Sequence, residues 1–133
     1  MRNEPAGGEN CMQVNSYQDL IVWQKAMDLA EQSYRVVRTM PREELYGMSS
    51  QICRAASSIP ANIAEGWGRG RTKEYVHFLR IAMGSTRELE THLLLSRRVD
   101  LLTSEQIQPL LQLAAEVSRM TTSLIGSLQR NPK

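Results

Sequence analysis

What the chain lacks narrows its possibilities first. It has two cysteines in 133 residues, Cys11 and Cys53, too few for the disulfide framework of a small secreted domain, so free thiols in a reducing compartment are expected. No run of about eighteen apolar residues occurs, and the N-terminal MRNEPAGGENCMQVNS has no apolar signal segment. Neither membrane spanning nor export is signalled, and the cytoplasm is the expected compartment. Nowhere do apolar and polar residues alternate between turn signals, which argues against a sheet. His77 has no second histidine or cysteine at ligand spacing. Glu88 and His92, four apart, lack the Glu-x-x-His repeats and further carboxylates of a di-iron bundle, so no metal or other cofactor is expected. Ser85 has no G-x-S-x-G elbow and no strand to carry one. A formal net charge of +2 neither requires nor excludes a nucleic-acid partner, because local clustering decides binding.

What is present is helical periodicity. A composition of 41% hydrophobic and 23% charged residues suits a single domain. Residues 1–16 are polar and aperiodic and read as a disordered leader, residues 17–129 as a helical bundle, and 130–133 as a flexible end. In the first helix, Leu20, Trp23, Met27, Ala30, Tyr34 and Val37 recur at steps of three and four. Val22, Ala26, Leu29, Val36 and Met40 form a second stripe, which widens the apolar arc beyond one seam. Pro41 stops this helix, and Pro41–Glu44 can add a short turn. After Gly47, Ser49 or Ser50 can cap a second helix running to about Glu65. Thr72 is the expected cap of a third helix, carried by Tyr75, Phe78, Leu79, Ala82, Leu89 and Leu93 and ending near Arg98. Thr103 and Gln106 have capping-box spacing before a fourth stripe of Ile107, Leu110, Leu111, Ala114, Val117, Thr121, Leu124 and Leu128. Four helices joined by short links predict an all-α, antiparallel up-and-down four-helix bundle. The second stripe of helix one, with Val76, Ile81, Met83, Leu94 and Leu95 outside the main face of helix three, predicts a homo-oligomer.

The segment SSIPANIAEGWGRGR, Ser57 to Arg71, is the densest in chemistry. Its glycines lack the spacing and Lys-Ser/Thr of a Walker loop and follow a helix rather than a strand, so helix termination is the expected role of Gly66, Gly68 and Gly70. Pro60 removes the donor that would reach Ala56 and is expected to kink helix two. Asn62 and Glu65 share a helical face. If that face is buried, Glu65 must be paired or neutral, and Gln51, Arg54, Ser85 and Glu88 are the candidate partners. A structural polar network of Gln51, Arg54, Asn62, Glu65, Ser85 and Glu88 is favoured over a catalytic carboxylate. Arg69, Arg71 and Lys73 crowd the turn beyond the glycines, Arg80 and Arg87 follow along helix three, and Arg97 and Arg98 close it. Arg69, Arg71, Lys73, Arg80, Arg97 and Arg98 are the candidate nucleic-acid contacts, and Trp67 beside them can stack on a base or pack at a helix end.

The run Tyr17 to Ala26, then Pro41, Tyr46-Gly47, Gln51 to Gly66, and Ile81 to Glu90 resembles the four-helix-bundle family associated with intervening sequences of bacterial 23S ribosomal RNA. The resemblance extends from Tyr17 to Leu128 and leaves the leader outside. It implies a bundle that assembles into a ring, typically a homopentamer, with no established enzymatic activity. Related accessory proteins of diversity-generating retroelements form pentameric barrels that bind nucleic acid and a reverse transcriptase. The combined expectation is a non-enzymatic, ring-forming protein binding RNA, DNA or a nucleoprotein through basic surface. The rival readings are a protein–protein scaffold and, further off, a core carboxylate enzyme.

Overall fold

The computed structural model describes residues 14–44 and 46–131; most of the expected leader, with Cys11, and the last two residues lie outside the described residues. The described residues form four helices, α1 (Ile21–Val37), α2 (Met48–Gly68), α3 (Thr72–Arg98) and α4 (Ser104–Arg130), with 3₁₀ turns at Tyr17–Asp19 and Arg42–Glu44. Each helix packs on its sequence neighbours, and α4 closes back on α1. The backbones of the diagonal pairs α1–α3 and α2–α4 stay more than 8 Å apart, Cα to Cα, which is the arrangement of an up-and-down bundle with short links.

The helix ends show which local signals acted. Ser16, expected in the leader, caps the first 3₁₀ turn in a capping box with Asp19. Thr103 and Gln106 form the anticipated box at the start of α4. Neither Ser49 nor Ser50 caps α2. The helix begins at Met48, whose N–H donates to Glu44 Oε1 at 3.3 Å, while Ser49 is buried and donates to Met40 Sδ at 3.3 Å. Thr72 opens α3 as its first residue, and Arg71 occupies the cap position. Pro60 lies inside α2, buried, and does not end it.

The core is built from the second of the two α1 stripes. Val22, Ala26, Leu29 and Met40 are buried with Ala30, whereas Met27 and Tyr34 of the first stripe lie exposed. Opposite them, Ile52, Ala56, Ile59 and Ile63 of α2, Leu79, Leu89 and Leu93 of α3, and Ile107, Leu110 and Val117 of α4 complete the interior. Val76, expected off the main face, is also buried.

The three glycines after Asn62 divide their roles, and only one makes the turn. Gly70 has φ +78°, a left-handed conformation that suits glycine. Gly68 ends α2 in open space. Gly66 is buried within α2, where a methyl group would sit 2.8 Å from Phe78 Cβ and 3.2 Å from both Tyr75 Cδ1 and the Tyr75 carbonyl. It is therefore a packing glycine, which lets α3 approach the α2 backbone. Beside it the Tyr75 hydroxyl is buried and has no protein hydrogen-bond partner among the described residues. Burial pushes the Tyr75 phenol up to about 12.

Two predictions follow from this corner. Gly66→Ala should cost about 1–3 kcal/mol in denaturant unfolding, because Tyr75 and Phe78 must move. Gly68→Ala should be neutral or stabilising by up to about 1 kcal/mol. For Tyr75, the fold favours the neutral phenol, so its stabilising effect is complete below pH about 10 and is lost as pH rises to about 12. Tyr75→Phe should hold its stability at neutral pH to within about 1 kcal/mol and flatten the alkaline decline, as read from thermal melts across that window.

Candidate functional site

The expected polar network is not one network in the chain. It separates into four local groups. Arg54 Nη2 donates to Gln51 Oε1 at 3.2 Å on the outer part of α2. Asn62 Nδ2 donates to the Ser58 carbonyl at 2.8 Å and to Ser58 Oγ at 2.9 Å, and Ser58 Oγ shares a 2.8 Å hydrogen bond with Ser85 Oγ of α3. This is the one group that links two helices, and Ser58 is its centre. Glu88 is exposed and sits 3.4 Å from His92 Nε2 one turn along α3. Glu65 is exposed, and its partner is Arg69, with Nη2 at 2.8 Å and Nε at 3.1 Å from the same carboxylate oxygen.

Glu65 is thus neutralised by none of the four partners first considered. The reason is helix length. Ending α2 at Glu65 places Arg69 in a loop, but α2 continues to Gly68 with Arg69 as its C-cap, which brings residues four apart onto one face. Arg69 also lies 4.9 Å from the centre of the Phe78 ring, a cation–π contact across to α3.

The basic candidates divide in the same way. Arg71, Lys73 and Arg80 are exposed and have no acidic partner among the described residues. Lys73 and Arg80 are seven residues apart on α3, about 10 Å along its axis. Arg97 and Arg98 are exposed too, but Arg98 lies about 38 Å along α3 from Lys73 and belongs to the opposite end of the bundle. Trp67 is half-buried at the basic corner. Two tyrosines, Tyr34 and Tyr46, border a shallow groove between α1 and α2 with Cys53, Arg54 and Ser57, and partial burial raises the Cys53 thiol above its ordinary value.

Sequence reasoning missed one site residue altogether. Ser118 is buried at the α3–α4 seam and accepts from Arg87 Nη1 at 2.9 Å, which holds an arginine that otherwise reads as ordinary solvated surface. The available signal was a hydroxyl standing on the apolar stripe of Ala114, Val117 and Thr121.

Among the described residues, no three histidine, cysteine, aspartate or glutamate side chains come together to hold a metal ion. No helix there is long and apolar enough to cross a membrane.

Known proteins can now be set beside this geometry. No curated protein matches the chain. A solved structure from Bacteroides thetaiotaomicron VPI-5482, described as a protein of unknown function from the S23 ribosomal protein family, superposes with a TM-score of 0.71 at 27% identity. The match covers 79% of this chain and 98% of that one. A family model described as 23S rRNA-intervening sequence protein matches residues 18–123, the whole span from the first 3₁₀ turn to the last third of α4, and the chain belongs to that family.

Proposed function

We propose that this protein is a non-catalytic, self-assembling helical bundle that binds RNA or DNA through the α2–α3 corner. The observation that carries the reading is the trio Arg71, Lys73 and Arg80, exposed and without acidic partners among the described residues, on the N-terminal half of α3 and the turn before it. Unpaired cations on a rigid helix neutralise phosphates without reading bases, so the expected binding is salt-dependent and largely indifferent to sequence. The family's description by a ribosomal RNA insertion is consistent with such a ligand. Glu74 is also exposed at this corner and moderates the local charge.

Self-assembly rests on a second observation. Met27 and Tyr34 on α1 and Ile81, Leu94 and Leu95 on α3 are between 39% and 48% exposed, apolar surface that a subunit contact would cover. A head-to-tail contact that joins the α1 group of one copy to the α3 group of the next is heterologous, and heterologous contacts that close form rings. Repetition of the corner around a ring, with the homopentamer as the expected size, would make binding multivalent. A scaffold without a nucleic-acid ligand would use the same apolar faces and leave the corner idle.

Light scattering of the purified chain should give a mass several times that of the monomer, and a monomeric mass would sink the ring. Titration with a labelled RNA at several salt concentrations should show affinity falling as salt rises. Changing Arg71, Lys73 and Arg80 to alanine should reduce the logarithmic salt slope by about 1 for each cation lost. Arg69→Ala should behave differently. It removes an ion pair of about 0.3–0.5 kcal/mol and a cation–π contact of about 0.5–1 kcal/mol, so the larger effect should be on stability. A well-folded oligomer that binds no RNA or DNA at low salt would overturn the nucleic-acid reading.

A further inference from the structure

We infer that the groove between α3 and α4 is a second phosphate contact for the strand held at the α2–α3 corner, an inference that rests on the nucleic-acid reading above. The groove is lined by Arg87, Ser118, Arg119, Thr122 and Ser123. It lies at the end of a line of cations that begins at the corner.

That line comes from helix geometry. Lys73, Arg80 and Arg87 stand seven residues apart, and seven residues of α-helix fall about 20° short of two full turns. The three exposed side chains therefore form one shallow spiral, about 21 Å long, that drifts steadily around the helix surface. The next position on the spiral is Leu94, so the charge stops at Arg87. At that point α4 takes over.

Arg87 is held in place where the spiral meets α4. Its Nη1 donates to Ser118 Oγ at 2.9 Å and to Glu90 Oε1 at 3.2 Å. Ser118 is buried, so it fixes one edge of the guanidinium against the seam. A guanidinium carries five N–H donors, and both contacts use the same nitrogen; Nε and Nη2 keep theirs. Arg119 from α4 is exposed and has no acidic partner among the described residues. Thr122 and Ser123, one turn further on, add two exposed hydroxyls, of which Thr122 makes only a 3.8 Å contact to Met83 Sδ. The groove thus offers two guanidinium groups and hydroxyl donors against one carboxylate, Glu90. Planar guanidinium donors and hydroxyls suit the oxygens of a phosphodiester.

An open groove of this kind holds a lone anion weakly, because exposed charges are screened by water and salt. A strand that already rests on Arg71 and Lys73 changes that balance. Each further phosphate it meets along the spiral adds to binding without a new cost of association.

The test uses the full-length protein and two labelled uridine oligonucleotides, with anisotropy read across a salt series. One probe has about three nucleotides, whose two internucleotide phosphates lie far less than about 21 Å apart even in a fully extended strand and cannot reach from Lys73 to Arg87; the other has about twelve. The double variant Arg87→Gln with Arg119→Gln should lower the salt slope for the long probe by about 1.4, at ~0.7 for each contact to a single strand, and leave the short probe unchanged. Arg87→Lys with Arg119→Lys should recover most of that slope, and equal thermal melts should show that the variants fold. If the wild type binds the long probe and the double variant binds it with the same affinity and slope, the groove is not a contact, while the corner reading stands. Equal losses for both probes also overturn the second contact. If the wild type binds neither probe, the corner reading fails and the groove falls with it.

Discussion

The missing side chain at Gly66 is the constraint on which the basic surface depends. A residue there with even one more carbon would meet Phe78 Cβ at 2.8 Å, so the approach of α3 to α2 at this corner requires glycine. Further along the same seam, Ser58 and Ser85 meet through a 2.8 Å hydrogen bond. Gly66 lies eight residues beyond Ser58 on α2, and Phe78 lies seven before Ser85 on α3, so a single antiparallel register satisfies both contacts. One contact is steric and the other polar. Together they fix how far along α2 the third helix begins, and hence where Arg71 and Lys73 are presented.

Given that register, the arginines sort themselves by what else they can reach. Arg69 is at the end of α2, four residues from Glu65 and across from Phe78, and it is occupied by both. Arg87 is anchored on Ser118 and Glu90. Arg71 and Lys73 come too far beyond Glu65 for such a pair, Arg80 has no carboxylate three or four residues away, and all three are without an acidic partner among the described residues. A surface ion pair contributes at most about 1 kcal/mol, so the fold gains little by pairing more of them. Unpaired, these cations cost the fold little, and the proposed phosphate ligand would give them a role.

Much of the fold was legible in the sequence because helical periodicity and capping chemistry are local. Thr103 and Gln106 marked the start of α4, and the stripe from Tyr75 to Leu93 marked α3. What failed was long-range. On α1 both apolar stripes satisfy the helical period, and nothing local says that Val22, Ala26 and Leu29 turn inward while Met27 and Tyr34 turn out. The glycines misled for a related reason: all three suit a helix end, but only contact with Tyr75 and Phe78 shows that Gly66 belongs inside one. That single misplacement ended α2 early, removed Arg69 from reach of Glu65, and suggested a buried network in place of a surface pair. Ser118 was hidden likewise, since its partner Arg87 is on another helix.

Cations and large apolar side chains both lie exposed on α3, and at residues 80 and 81 its geometry keeps them apart. Residues 80 and 81 point about 100° apart around the helix axis, so Arg80 and Ile81 cannot serve the same surface. Ile81 and Leu95, fourteen residues apart, lie about 40° from one another around the axis, whereas Arg87, at the end of the spiral of Lys73 and Arg80, turns toward α4, and Leu94 stands next on that spiral. A neighbouring subunit seated on Ile81 would therefore leave Arg80 and Arg87 open. Burial of a cation in such a contact would cost more than the apolar surface returned, unless a carboxylate came with it. The proposed subunit contact and the proposed ligand would thus meet α3 on different sides at this turn.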